Sequence, residues 1–203
     1  MTTTRTTTTA SDTAGTGGVP DPGAPGPGFH PDPAKVARAI AKRSFCTLAT
    51  TSPSGRPHAA GVLYALADGA LYVSTLRTSR KARNIAENPR VGLVIPVRRL
   101  PVGPPSSVQF QAVAEILGVD DPGVRRLAAD GRLKAITGHG ELDLPDGCVL
   151  RIAPPRRVLT YGLGMSLRRL VRDPLDAAGA VELDLAGRGR AGVADTPAAD
   201  SAG

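Results

Sequence analysis

Apolar residues recur at helical spacing in two stretches of the first ninety residues. After Asp32-Pro33, a pair that suits a helix start, AKVARAIAKRSF carries its apolar residues on one stripe and predicts a helix over residues 33–43. In SRKARNIAENP, Ser79 suits the N-cap of a second helix and Pro89 lies just past its end. The residues expected to face inward from this second helix are Ala82, Ile85 and Ala86.

Elsewhere, apolar and polar residues alternate, which is typical of strands. The first three predicted strands are joined by the short polar turns SPSGRP and ADG, so we expect them to form an antiparallel meander. The predicted strands are FCTLATT (45–51), HAAGVLYALA (58–67), ALYVST (70–75), RVGLVIPV (90–97), SVQFQAVAEIL (107–117) and two pieces of CVLRIAPPRRVLTYG (148–162).

The order of these elements indicates the fold class. A helix opens at Pro122, a polar linker follows to about Gly147, and SLRRLVRD suits a short basic helix. The sequence shows no regular strand–helix–strand alternation and no glycine-rich dinucleotide fingerprint. We therefore predict a mainly β protein, an antiparallel barrel with peripheral helices.

Both ends of the chain lack this patterning. Residues 1–33 are rich in Thr and then in Pro and Gly, and residues 173–203 carry few large apolar side chains. Such segments bury too little apolar surface to offset the entropy lost on ordering. We expect two disordered tails around one folded domain at residues 34–172.

The charge of the chain is concentrated in that domain. The whole chain has a formal net charge of +7, but both tails are acidic, which leaves about +13 on residues 34–172. A basic domain attracts nucleic acid, acidic membranes or phosphorylated small molecules. The sequence disfavours nucleic-acid binding, because aromatic residues make up only 3% of the chain and no known binding motif occurs. With no apolar run for a membrane span and no secretory signal, we expect a cytoplasmic protein.

The stretch LYVSTLRTSRKARNIAENPRVGLVIP, residues 71–96, collects groups that bind phosphate. Two hydroxyl residues end a strand, and Ser79, Arg80 and Lys81 open a helix, where free N–H groups and the positive end of the dipole lie. The alternative is a capped, solvated basic helix start, which explains the same residues without a ligand.

This stretch resembles the pyridoxamine 5′-phosphate oxidase superfamily, in which a strand ends in Thr, Ser-Arg-Lys opens a helix and Asn-Pro precedes the next strand. The segment FCTLATTSPSGRPHAAGVLYAL is similar to the opening hairpin of that superfamily, and the resemblance covers about residues 34–161. It implies a split β-barrel of the FMN-binding type, a homodimer with the cofactor at its interface, and a flavin-dependent oxidoreductase of unknown substrate.

The resemblance also implies site residues. It assigns Arg80 and Lys81 to the FMN phosphate and the backbone of AAGVLY, residues 59–64, to the flavin ring. It assigns no catalytic side chain, and no metal site is expected. The expected cofactor-binding residues are Ser74, Thr75, Ser79, Arg80, Lys81, Ala60, Gly61 and Val62.

The chain departs from the pattern of the true oxidase. Ala59 and Tyr64 stand where the resemblance leads one to expect Arg and Lys, and Ser106 or Ser107 stands where it leads one to expect Gln. The C-terminal substrate motif is missing, and the chain has no Trp. These departures argue against oxidation of vitamin B6 phosphates.

Two alternatives to FMN catalysis remain open. A reduced deazaflavin coenzyme, whose polyglutamate tail suits a basic domain, could replace FMN, or the protein could carry a flavin or heme without turnover.

Several further side chains have both a structural and a functional interpretation. They are His58 (beside the cofactor or on the surface), Tyr64 (core or cofactor edge), Cys46 (core), Gln109 and Gln111 (barrel mouth or solvent), and His139 with Glu141, which lack a third metal ligand.

Overall fold

The computed structural model describes residues 29–98 and 106–185. Within these ranges the chain forms five α-helices and nine β-strands, with short 3-10 turns at Glu141–Asp143 and Pro174–Ala177. The helices are α1 (Pro33–Ala41), α2 (Arg80–Glu87), α3 (Pro122–Ala129), α4 (Lys134–Thr137) and α5 (Leu167–Arg172). The strands are β1 (Phe45–Thr51), β2 (Pro57–Leu63), β3 (Ala65–Ala67), β4 (Ala70–Leu76), β5 (Arg90–Val97), β6 (Ser106–Gly118), β7 (Gly147–Ile152), β8 (Arg157–Tyr161) and β9 (Ala178–Glu182).

Strand β6 joins two antiparallel layers. Its first part, from Ser106 to Val113, pairs with β5 on one edge, and Ser107 to Gln109 pair with β8 on the other. Its second part, from Ala114 to Gly118, pairs with β7. One layer is therefore β2-β1-β5-β6-β8-β9 and the other is β3-β4-β7-β6, so the sheet bends along β6 instead of continuing flat.

Both strand pairs of the predicted three-strand meander are present, but they lie in different layers. The second predicted strand breaks at Tyr64, whose ring is fully buried and whose hydroxyl donates to the carbonyl of Ile40 at 2.6 Å. Strand β2 before the break pairs with β1, whereas β3 after it pairs with β4 in the other layer. Burial of this large ring against α1 therefore redirects the chain from one layer to the other.

The main core lies between the layers and is covered by α1. Val36 and Ile40 of this helix pack with inward residues of the strands, such as Leu48, Leu93 and Leu150. A second core lies under α3 and α4 and contains Leu133, Ile136 and Leu142. The expectation of a polar linker before Gly147 is wrong, because this segment buries these three apolar side chains.

The expected boundaries of the folded domain are corrected at both ends. Residues 173–185 were expected to be disordered, but β9 pairs along β8, and both Val181 and Leu183 are buried in the main core. This segment contains few large apolar side chains, so its sequence did not indicate a strand. At the other end, Asp32 caps α1 by accepting from the N–H of Ala34 at 2.8 Å, and Phe29 packs on the cluster around Met165. The tail expectation for residues 1–28 and 186–203 lies outside the described residues.

We expect strand β9 to be essential for stability. A chain ending at Ala177 loses the burial of Val181 and Leu183, each worth about 1.5–3 kcal/mol, so its free energy of unfolding should fall by about 3–6 kcal/mol. A chain ending at Leu185 keeps both contacts and is the matched control. Urea unfolding of the two truncated proteins measures the difference, and equal midpoints would show that β9 does not contribute.

Candidate functional site

The end of β4 and the start of α2 are joined by a pair of hydroxyl groups. Ser79 is the N-cap of α2, and its Oγ accepts from the N–H of Ala82 at 3.3 Å. Thr75 Oγ1 donates to the same oxygen at 3.2 Å. The predicted helix start is therefore observed, and the two hydroxyls lie side by side at the end of the strand.

The turn before α2 is held by a residue that the sequence analysis missed. Asp146, which precedes β7, accepts the N–H of Arg77 on its carbonyl oxygen at 2.8 Å and the N–H of Thr78 on its Oδ2 at 3.2 Å. It lies 68 residues away from Thr78 in the sequence, so no local pattern indicated it. These bonds fix the backbone that leads into the helix.

The first turn of α2 has the opposite charge to the one that stabilises a helix. Its first two residues are Arg80 and Lys81, and it carries no acidic residue. Cations near a helix N-terminus are unfavourable by about 0.3–1 kcal/mol each, because the N–H groups there already carry partial positive charge. The N–H groups of Arg80 and Lys81 also have no acceptor inside the helix, as is general for the first turn. An anion at this point would satisfy all of these groups at once.

Not all of the other predicted site residues have side chains that lie at the start of α2. Neighbouring side chains on a strand point to opposite faces, so Ser74 lies on the side of Tyr72 and the second core, away from Thr75. In β2, the side chain of Val62 is buried in the main core and that of Ala60 packs against it. Only their backbone can contact a ligand.

Strand β2 offers that backbone because it is an edge strand. In the part of the chain that the structure describes, β2 pairs with β1 only, so its other edge has free N–H and C=O groups. Gly61 faces outward from it, and a Cβ there would lie 2.8 Å from Cζ of Phe45. The absence of a side chain at Gly61 thus allows the ring of Phe45 to lie directly on β2.

A basic cavity of about 570 Å³ lies between the β1–β2 turn and α2. We call it the arginine pocket, because Arg56 from the turn and Arg80 and Arg83 from the helix line it, together with His58. Glu87 is the one acidic residue among its lining residues. The ion pairs formed among residues 29–98 and 106–185 involve none of these three arginines.

One prediction about the inward face of α2, which lines this pocket, is wrong. Ala86 was expected to face inward, but it is exposed, and Asn84 is buried instead with only 5% of its surface accessible. Its Nδ2 donates to Thr50 Oγ1 at 3.0 Å and so ties α2 to β1. The helix is rotated from the predicted orientation because this polar pair, and not Ala86, lies on the sheet.

The outward side of the layer β2-β1-β5-β6-β8 forms a second candidate surface, which we call the outer face. Strand register places a row of residues across it. Exposed apolar side chains lie on this face, among them Val94 at 40% and Val113 at 63% exposure. Two shallow cavities of about 590 and 650 Å³ lie along it, and Gln111 lines both. The members of the row are Gly61, Thr47, Val94, Gln109 and Leu159.

The remaining candidates have structural roles. Glu141 accepts the N–H of His139 at 2.9 Å, which holds the pKa of the carboxyl below its usual value, and the described residues include no cluster of three metal-ligating side chains. Tyr64 is a core residue, as its bond to α1 shows. Burial raises the pKa of the Cys46 thiol to about 12 and also raises the pKa of Cys148, so neither is an activated nucleophile.

Among the described residues, none of the helices has the length and apolarity to span a membrane.

Comparison with known proteins connects this geometry to a family. Residues 33–160 match the sequence profile of the family described as pyridoxamine 5′-phosphate oxidase. No curated protein sequence matches the chain.

Solved structures show the same fold. The heme storage protein HutZ from Vibrio cholerae is similar with a TM-score of 0.58 and 20% identity, over 68% of this chain and 99% of that one. A heme binding protein from Mycobacterium smegmatis has a TM-score of 0.56 and 26% identity, over 68% of this chain but only 57% of that one. A FAD-binding protein from Mesorhizobium loti has a TM-score of 0.52 and 20% identity, over 64% of this chain and 91% of that one. The predicted mainly β split-barrel fold is confirmed.

We expect the buried thiol of Cys46 to make stability depend on alkaline pH. The unfolded thiol ionises near 9.0, whereas the folded one stays protonated to about 12. The folded state therefore binds more protons in this interval, and the free energy of unfolding should fall as pH rises above 9, by about 1 kcal/mol per pH unit. Urea unfolding at pH 8, 9 and 10 measures the slope. Cys46→Ala should flatten it, and an identical slope in both proteins would contradict the assignment.

Proposed function

Because the chain belongs to the pyridoxamine 5′-phosphate oxidase family, we propose that it is a flavin-dependent oxidoreductase that binds FMN. In this proposal the phosphate of the cofactor lies at the start of α2, held by Ser79, Arg80 and Lys81 and by the free N–H groups of the first turn. Thr75 supports Ser79 from the strand end. The ring lies along the free edge of β2.

One observation carries the proposal, the reversed charge of the first turn of α2. Two cations at the positive end of the helix dipole, Arg80 and Lys81, repel each other and the N–H groups beside them. An acidic residue at either position would be more stable in an isolated helix, and the paired hydroxyls of Thr75 and Ser79 lie beside the two cations. A phosphate dianion is the complementary group, since it accepts from N–H, hydroxyl and guanidinium donors together.

The residues of the chain would bind and orient the cofactor, and none needs to act as an acid or base. When bound, FMN supplies the hydride chemistry itself. The fixed turn at Asp146 and the bond between Thr75 and Ser79 keep the phosphate donors in place before binding. The unpaired edge of β2 supplies main-chain donors and acceptors for the polar rim of the ring.

Two alternatives each have one observation in their favour. A deazaflavin coenzyme would use the same helix start, and the arginine pocket beside it suits a ligand with additional negative charge. Heme binding is favoured by the likeness to the Mycobacterium smegmatis heme binding protein at 26% identity, with His58 in the arginine pocket as the candidate axial ligand. Absorption spectra and mass analysis of the group released from the purified protein distinguish the three.

Oxidation of vitamin B6 phosphates is not part of the proposal. Ala59 faces outward from β2 without a charge, and Tyr64 is committed to the core, so neither position offers the cation that a second phosphate would need there. Each missing charge-assisted contact removes about 1.5–3 kcal/mol of binding.

We also propose that two copies of the chain associate through the outer face, with the cofactor at the interface. The face exposes apolar side chains and small residues in one continuous row, as surfaces that associate do. A second copy would cover its shallow cavities and exclude water from a ring lying on β2.

We expect Lys81→Glu to change binding and stability in opposite directions. Loss of one charge-assisted contact costs about 1.5–3 kcal/mol, and the new repulsion adds to it, so the affinity for FMN should fall at least tenfold. The apo protein should become more stable by about 0.3–1 kcal/mol, because an acid replaces a cation at the helix start. Fluorescence titration with FMN and urea unfolding measure the two effects.

Lys35→Glu is the matched control for this variant. It also places an acid in the first turn of a helix, α1, but away from the site. It should raise stability similarly and leave FMN affinity unchanged. Equal FMN affinity of Lys81→Glu and wild type would refute the phosphate site.

We expect Val94→Arg to separate the two copies. Val94 lies in the middle of the row on the outer face, between Thr47 and Gln109, so two buried arginines would oppose each other across the interface. Light scattering should report a monomer, and FMN should be released. Val171→Arg, at an exposed position on α5, should remain dimeric. A wild-type protein that is monomeric at micromolar concentration would contradict the proposal.

A further inference from the structure

The arginine pocket has more positive charge and more space than one cofactor phosphate requires. It brings together Arg56, Arg80 and Arg83 from two separate elements, and His58 adds a fourth basic side chain. The single acid in its lining, Glu87, leaves an excess of charge. Its volume of about 570 Å³ far exceeds that of a phosphate group. Like charges gathered in one concave site favour an anion in it.

The pocket is also distinct from the site proposed for the cofactor phosphate. Arg80 and Arg83 are three positions apart on α2, so they lie on one side of the helix and face the β1–β2 turn. Lys81, the next residue along the helix, does not line the pocket. The first turn of α2 therefore offers positive charge in two directions.

Both walls of the pocket are formed without a ligand. On one side Asn84 binds Thr50 and fixes the helix against β1. On the other side Ser52 Oγ accepts from the N–H of Arg56 at 3.0 Å, and the N–H of Ser52 donates to the carbonyl of Arg56 at 2.9 Å. A site formed in advance loses little entropy when a ligand binds.

We propose that the arginine pocket binds a second anionic group, a phosphate or a carboxylate, beyond the one held at the start of α2. This inference rests on the proposed function for its setting, because the second group belongs either to the tail of the cofactor or to the substrate. Arg56 and Arg83 are the residues specific to this pocket, and Arg80 lies between the two sites. The ligand class is therefore a cofactor with a charged tail or a small polyanionic substrate.

The test uses the double variant Arg56→Gln/Arg83→Gln, which leaves Ser79, Arg80 and Lys81 intact. For a cofactor tail, we expect FMN affinity to change less than twofold and the affinity for FAD, or for a deazaflavin with a glutamate tail, to fall at least tenfold. For a substrate, we expect all cofactors to bind as before and the affinity of the FMN-loaded protein for inorganic pyrophosphate to fall at least tenfold. Titration calorimetry measures each affinity at one fixed ionic strength.

Arg168→Gln/Arg169→Gln on α5 is the control, since it removes two exposed positive charges far from the pocket in the sequence. An equal loss in the control would overturn the inference, because only the overall charge would then matter. An unchanged affinity for every probe, or an equal loss for FMN, would also overturn it. If wild type binds no flavin, the proposed function fails, and pyrophosphate binding to the cofactor-free protein still decides whether the pocket holds an anion.

Discussion

The hydrogen-bond ladders of β6 determine the position of every other part of this structure. In its first eight residues β6 pairs with β5, and after Ala114 it continues beside β7 in the second layer. At the change of neighbour the N–H of Ala114 donates to the carbonyl of Pro89 at 2.8 Å. Pro89 directly follows α2, so the bend of β6 also sets where the candidate site lies. A strand shared by two layers cannot slip in one without losing its pairs in the other.

The candidate site depends on this arrangement because α2 is held at both ends. At its start, Thr75 and Asp146 fix the cap and the turn, and near its end Asn84 and Pro89 connect it to β1 and β6. The cations of its first turn are thus presented by a rigid helix, despite the electrostatic cost of placing them there. Such preorganisation is what separates a binding site from a solvated basic surface.

Local signals in the sequence predicted the elements well, and distant contacts account for what was missed. The caps Asp32 and Ser79 and the alternation in most strands were readable, because each depends on neighbouring residues. The separation of β2 and β3 into different layers was not, since burial of Tyr64 against α1 decides it. Strand β9 was missed because it is an Ala- and Gly-rich segment with one large buried side chain, Val181, while the second, Leu183, lies just past its end.

The same distinction applies to the site. The helix start at Ser79 was readable from its cap residue, and the phosphate site at Ser79, Arg80 and Lys81 stays a prediction. The arginine pocket was not readable, because Arg56 and Arg83 are 27 residues apart and meet only when Thr50 and Asn84 dock α2 on β1. Ser74 was named from its position at the strand end, but the pleat directs it to the opposite face from Thr75.

The place of β9 in the main core has a consequence for the synthesis of this protein. Val36 and Ile40, among the earliest described residues to leave the ribosome, share one core with Val181 and Leu183. Contacts between such distant segments form slowly, because the intervening chain must first be closed into a loop. The nascent chain therefore carries an incomplete sheet and exposed apolar side chains until translation has passed β9. During that interval the exposed apolar side chains favour aggregation.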